Sequence, residues 1–313
     1  MKKKIKVILA VSAILAGCMG SGAAAQEETM TFAFANATMN NGFFVTINST
    51  MEALAEADGY EWTMVDCDWD NEKQTQQMED LVNSGVDFIF LAPADVNGAT
   101  FGVQAAADAG IPVIVLDNPL SEEDSKNVVS TIASDNYQAG VVCAEMLVED
   151  LPEGGTVAIL NHNANNAAAD RVNGFKDTIA EHEQFEIVSE LAGGGTIEDS
   201  ISPSEDILQK NPDLDAFFAC NELSAMGVLT AVEAADKVDQ IKIYSVDASP
   251  DGKELLLDGS FAGLAAQSPI TIGETAYEFA KQYLNGEEVP ESYFTECFEV
   301  RAADAEETKG EWQ

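Results

Sequence analysis

Amides and carboxylates recur in one kind of place along this sequence, directly after a short apolar run. Asn40-Asn41-Gly42-Phe43-Phe44 follows Met30–Ala35, Asp117-Asn118 follows Pro112–Leu116, and 161–166, ending in Asn165-Asn166, follows Thr156–Leu160. Cys220-Asn221-Glu222 follows Ala216–Ala219, Asp247 follows Ile241–Val246, and Gln267 follows Phe261–Ala266. Taken singly, an Asn or Asp in such a place is a helix N-cap, its side-chain oxygen accepting from a free backbone N–H. Caps do not account for Gln267 or for the adjacent rings of Phe43 and Phe44. A helix starting there can hide one ring in a core but hardly both. As a set, the residues suit a neutral, polyhydroxylated ligand. A carboxylate accepts two hydroxyl protons at once, and an amide both donates and accepts. An aromatic face covers the apolar C–H face of a sugar ring.

Other constellations carry less. Asp66-Cys67-Asp68-Trp69-Asp70 opens like a calcium loop, but Asn71 stands where glycine is expected and Gln77 where the closing glutamate is expected. A solvated strand-to-helix loop is the reading taken, so no metal is implied. Trp69 also follows a strand and could reach a cleft rim; surface packing is its competing role. His162 and His182 are the only histidines. No nucleophile–base–orienter set assembles around either, so the sequence does not read as an enzyme. Gly193-Gly194-Gly195 lacks the Lys-Ser/Thr that would make it a phosphate cradle and reads as a turn. No cofactor is implied.

The elements that must position these residues alternate. Strand-length apolar runs at Met30–Ala35, Glu61–Val65, Asp87–Leu91, Pro112–Leu116 and Val128–Ile132 form one series. Thr156–Leu160, Phe185–Ser189, Ala216–Ala219, Ile241–Val246 and Phe261–Ala266 form a second. Stretches with helical spacing lie between them, such as Ile47, Met51, Leu54 and Ala55. Runs like FIFLA and VIVL are apolar at every position, as in parallel strands covered on both faces. The expected fold is α/β: two Rossmann-like, doubly wound lobes rather than one very wide sheet. The break is expected near Ala133-Ser134-Asp135-Asn136.

The 313 residues carry 15 Lys+Arg against 55 Asp+Glu, a formal net charge of -40. Such a surface repels nucleic acid and anionic membranes, which leaves solubility as the reading of the acidity. At the N-terminus, Lys2, Lys3, Lys4 and Lys6 precede an apolar Val7–Ala16. Residues 1–25 are therefore expected to be an export leader. Leu15-Ala16-Gly17-Cys18 looks like a bacterial lipobox, which would make Cys18 the lipidated mature N-terminus; cleavage after Ala23-Ala24-Ala25 is the alternative. The protein is expected outside the cytoplasm, lipid-anchored at the outer face of the cytoplasmic membrane or periplasmic. Cys67, Cys143, Cys220 and Cys297 have no CxxC spacing and are expected as buried free thiols.

From about Met30 to Val300 the chain resembles the ribose-type periplasmic sugar-binding proteins of ABC transport systems. The resemblance is carried by NNGFF (40–44), VIVLDNP (113–119), TIASDN (131–136), DRVNGF (170–175), FACNELSAMG (218–227), YSVDASPDG (244–252) and AAQSPITIG (265–273), in that order. It implies two lobes joined by three hinge crossovers that close around a sugar. The first would comprise 30–134 plus 268–295 and the second 135–267 plus 296–303, with an acidic tail at 304–313. It implies that Asn41 hydrogen-bonds the sugar and that Phe43 and Phe44 meet its ring. Asp117 would take hydroxyls from the first lobe, Asn221 and Asp247 from the second, and Gln267 from near the hinge. The implied partners are a small sugar or polyol and an ABC permease, with the protein a monomer. A receptor for chemotaxis or two-component sensing is the alternative.

The sequence departs from that pattern opposite the aromatic shelf. Ribose binders carry arginine where Asn118 stands; another sugar-binding arginine falls on Ala169, with Arg171 two residues on. A family asparagine falls on Ala92, and the second-lobe aromatic falls near Gly193-Gly194-Gly195. Each lost charged donor costs on the order of 1.5–3 kcal/mol if nothing replaces it. This argues against ribose held in the usual way and for another pentose, a hexose, a cyclitol or a larger glycoside. Asn165 and Asn166 are candidate replacement amides.

Overall fold

β1 (Thr31–Asn36), β2 (Glu61–Asp66), β3 (Phe88–Leu91), β4 (Val113–Leu116) and β5 (Ser130–Ser134) are joined by α1 (Gly42–Asp58), α2 (Asn71–Ser84) and α3 (Thr100–Ala109). The second series is β6 (Gly155–Asn161), β7 (Phe185–Ala192), β8 (Ala216–Ala219), β9 (Lys242–Asp247) and β10 (Gly263–Ala266). It is preceded by α4 (Asn136–Asp150) and threaded by α5 (Asn166–Ala180), α6 (Ile197–Lys210), α7 (Glu222–Ala234) and α8 (Pro250–Leu257). The chain ends in α9 (Pro269–Leu284), β11 (Ser292–Thr295), β12 (Phe298–Val300) and α10 (Ala302–Glu307). This computed structural model describes residues 29–162 and 165–312. The expected leader 1–25 and Cys18 lie outside the described residues.

Two six-stranded sheets form, ordered β11-β5-β4-β3-β1-β2 and β12-β10-β9-β8-β6-β7. The two orders are equivalent, so each sheet reverses direction of growth at its first strand, between β1 and β3 and between β6 and β8. Those switch points are where open α/β sheets bind ligands, beyond the carboxyl ends of the strands. All pairings are parallel except β10 with β12. The chain passes between the sheets three times: after β5, after β10 and between β11 and β12.

β3 and β4 are buried at every position, as are β8 and β10. Their side chains enter two apolar clusters per sheet, one on each face. This is why the central strands are apolar throughout rather than alternating. Side-chain caps begin most of the helices that follow a strand: Asn41 for α1, Asp70 for α2, Asn165 for α5 and Asn221 for α7. In the second lobe α4 and α5 touch along Gly140, where a Cβ would lie 1.9 Å from the Arg171 carbonyl oxygen. Only glycine permits that approach. Cys67, Cys143, Cys220 and Cys297 are buried and unpaired by disulfides. No described helix is long and apolar enough to cross a membrane.

Candidate functional site

A cavity lies between the carboxyl ends of the two sheets, the place where open α/β sheets bind ligands. Its first-lobe wall is aromatic: Phe43, Phe44 and Trp69 line it beside Asn41. The Asn41 oxygen caps α1 by accepting from Phe43 N at 2.9 Å, which places both phenylalanines in the first turn. Their rings meet edge-to-face at 5.4 Å and 82°. Both are buried, each 3% exposed, contrary to the expectation that only one ring finds cover. The cover comes from remote neighbours. Trp69 packs on Phe44 at 5.8 Å, and Trp312 packs on Phe43 at 6.1 Å.

Trp69 is part of the cavity wall rather than a surface-packing residue. Asp68 and Trp69 adopt left-handed backbone (φ 54 and 60), turning the loop after β2 back towards β1, where Trp69 N donates to Ala37 O at 2.8 Å. The aspartates around it serve the loop: Asp66 accepts from Asp68 N and Asp70 caps α2 through Lys73 N. No group of carboxylates, histidines and cysteines among the described residues could hold a metal ion.

The opposing chemistry centres on two carboxylates at equivalent places. Asp117 follows β4 and Asp247 ends β9, the fourth strand of each series. Both are buried, at 6% and 5% exposure, and both have positive φ, 66 and 132. Such backbone costs on the order of 1–3 kcal/mol per residue and persists where surrounding structure holds it. Asp247 accepts from Glu222 N at 3.1 Å and from Gln267 Nε2. Arg171 Nη1 stands 4.0 Å from Asp247. Arg171 is itself clamped, donating from Nε to Asn136 Oδ1 at 2.7 Å and from Nη1 to Cys220 O at 2.9 Å. Burial pushes Asp117 up to about 6, with Arg171 opposing and Asp247 adding to the rise. Burial likewise raises Asp247 against the pull of Arg171. Glu222, buried beside Asp247 and bonded to Ser249, is pushed up to about 8.

Of the residues read from the sequence, Asn41, Phe43, Phe44, Trp69, Asp117, Asn165, Arg171, Asn221, Asp247 and Gln267 share this cavity. Three of its amides are also caps, so the two readings of such positions coexist. Asn165 accepts from Ala168 N at 2.9 Å, and Asn221 accepts from Ser224 N at 3.1 Å while donating to Gly195 O at 2.9 Å. The Gln267 carbonyl oxygen is buried with no hydrogen-bond partner, an acceptor that a ligand hydroxyl would satisfy.

Asn118, Asn166 and Ala169 do not line the cavity. Asn118 is buried and bonds to the other lobe, its Oδ1 accepting from Asn166 N at 3.1 Å. Asn166 in turn donates from Nδ2 to Pro119 O at 3.2 Å. Ala169 is exposed because α5 has turned it away. Ala167, Ala168 and Arg171 occupy the helix face that meets the cavity, at the three- and four-residue spacing of one face. The sequence reading missed His162, Ala167, Ala168 and Cys220, although His162 and Cys220 stand at strand ends like the residues it singled out. Of the glycine run, Gly194 and Gly195 line the cavity and Gly193 does not. Gly195 has φ 78, and a Cβ there would lie 2.7 Å from His162 Nδ1. The histidine ring thus stands beside Gly195 and faces Trp69 across the lobes at 6.2 Å. Burial lowers its pKa and favours the neutral imidazole.

A family model described as the periplasmic binding protein domain matches residues 32–288. The chain belongs to this family. This binding protein is 31% identical to the ribose import binding protein of Salmonella typhimurium, over 94% of its own length and 96% of the relative's. Among solved structures, it is similar to a Mycobacterium smegmatis protein in complex with β-D-fucofuranose, at 27% identity and a TM-score of 0.83, over 90% of this chain and 94% of that one. It is also similar to the periplasmic component of an arabinose ABC transporter from Shewanella sp. ANA-3, bound to L-arabinofuranose, at 25% identity and a TM-score of 0.84, over 89% and 94%. The two-lobed α/β fold expected from the alternating strands is therefore the fold of the family. Membership implies a place outside the cytoplasm.

Proposed function

We propose that this binding protein captures one neutral sugar or cyclitol in the cavity between its lobes and delivers it to an ABC permease. The observation that carries the reading is the pairing of an aromatic wall, Phe43, Phe44 and Trp69, with buried Asp117 and Asp247 in one cavity. Rings cover C–H faces while carboxylates accept hydroxyl protons. Sugars are also what the import relative is named for and what the similar solved proteins hold.

Closure is a hinge motion at the three crossovers, favoured by ligand contacts from both lobes. Asn41, Asp117, Asn221, Asp247 and Gln267 bond the hydroxyls, Arg171 holds Asp247, and the three aromatic rings cover the apolar face. The mature chain is a monomer held at the membrane through a lipid on Cys18. Isothermal titration against pentoses, hexoses and cyclitols tests the ligand class. Heat with at least one member is expected, and silence with all of them beside a response to an amino acid or peptide would overturn it. Labelling of the expressed protein with a radioactive fatty acid, lost in Cys18→Ser, tests the anchor.

A further inference from the structure

A second cavity adjoins the first. It is the roomier of the two, and they share Asn41 and Asp247 in their walls. Its apolar lining comes from Trp312, Leu223 and Met226, and its hydroxyl acceptors from Ser249, Asp251 and Glu222. Trp312 belongs to the segment after α10, and that segment is held in place. Lys253, fully buried, donates to Thr308 O at 3.1 Å and to Glu311 O at 2.6 Å. The tryptophan then reaches the other lobe, where it meets Phe43.

The result is a continuous aromatic strip. Trp69 meets Phe44 at 5.8 Å, Phe44 meets Phe43 at 5.4 Å, and Phe43 meets Trp312 at 6.1 Å. Three of its rings line the first cavity, and Trp312 lines the second. Both cavities therefore offer an aromatic surface beside carboxylates, the same chemistry repeated one ring further along.

We infer that the second cavity is a subsite for a further ring, so that the ligand is a neutral disaccharide or glycoside with Trp312 as the platform for its second ring. The inference rests on the sugar-binding reading of the first cavity and adds the ligand's length to it. Carboxylates on both sides disfavour an anionic second ring.

Calorimetry on the full chain tests this with the tightest-binding monosaccharide, both anomers of its methyl glycoside, and its disaccharides with glucose. At least one disaccharide is expected to bind about tenfold more tightly than the free sugar, the scale of one added aromatic contact. Trp312→Ala should remove that gain, and so should Met226→Trp, which fills only the second cavity. The readout is the ratio of disaccharide to monosaccharide affinity, so a general weakening by either variant does not imitate the effect. Exclusion of every disaccharide while the monosaccharide binds would overturn the subsite and leave the sugar reading intact. So would a gain that survives both substitutions. Failure of all sugars, the monosaccharides included, would overturn both.

Discussion

Asn118 of the first lobe accepts a hydrogen bond from the backbone of Asn166 in the second, 3.1 Å away and outside the cavity wall. That bond joins the two lobes to each other directly. In the closing motion proposed above, that bond exists only when the lobes meet. Asn118→Ala should therefore weaken ligand binding about 3–10-fold, the value of one hydrogen bond. Stopped-flow kinetics should place the loss in a faster dissociation rate, with the melting temperature of the ligand-free protein unchanged.

Ligand affinity should depend on Asp117. Burial holds its pKa near 6, above its ordinary 3.8. A sugar that donates hydroxyl protons to the carboxylate favours the ionised form, so affinity is full above that pH and lost as pH falls through it. Titrations between roughly pH 4.5 and 8, the window around the raised carboxylate, should show proton release on binding below neutrality. Asp117→Asn should bind more weakly and lose that pH dependence.

The stability of the ligand-free protein should move the other way with pH. Glu222 titrates at about 8 in the folded chain against 4.5 unfolded. Between those values the folded state holds a proton that the unfolded state has lost. Its contribution is fully present below 4.5 and disappears as pH rises through about 8. Melting temperature should fall over that range, and Glu222→Gln should flatten the fall relative to the parent.

Arg171 is buried among Asp247, Asn136 and the Cys220 carbonyl. Arg171→Met leaves Asp247 without its cation and two acceptors without a donor. Denaturant titration should show a loss of about 3–5 kcal/mol, the usual result of removing one partner of a buried charge pair. Arg171→Lys should recover only part of it, because an ammonium does not reproduce the planar fork that serves Asn136 and Cys220 together.

Gly140→Ala should lower stability and ligand affinity together. The added Cβ would fall 1.9 Å from the Arg171 carbonyl oxygen, forcing α4 and α5 apart. Overpacking of this kind costs about 1–3 kcal/mol. The displaced α5 carries Arg171, so calorimetry on the folded variant should also show weaker binding.

Much of the architecture was legible because it depends on local signals. The ten strands β1 to β10 follow from apolar runs such as FIFL and VIVL, and helix starts follow from Asn and Asp caps. β11 and β12 carry no such signal: Tyr293, Phe294 and Phe298 are exposed, and those edge strands are held by pairing rather than by burial. The strand-end rule located Asn41, Asp117, Asn221, Asp247 and Gln267. It did not separate them from Asn118, which stands beside Asp117 and bonds to the other lobe. Ala169 fell to register: two residues along a helix turn a side chain to another face, and Arg171 is the one that reaches the cavity.

By itself the sequence determined the alternation of strands and helices and the ends at which polar residues collect. These depend on period, capping and residue type over a few neighbours. Only the tertiary structure decided that both Phe43 and Phe44 are covered, that Trp69 and His162 face each other, and that Trp312 closes the aromatic strip. Those partners lie far apart in the chain and meet only when two sheets, each folded on its own local signals, bring their strand ends together.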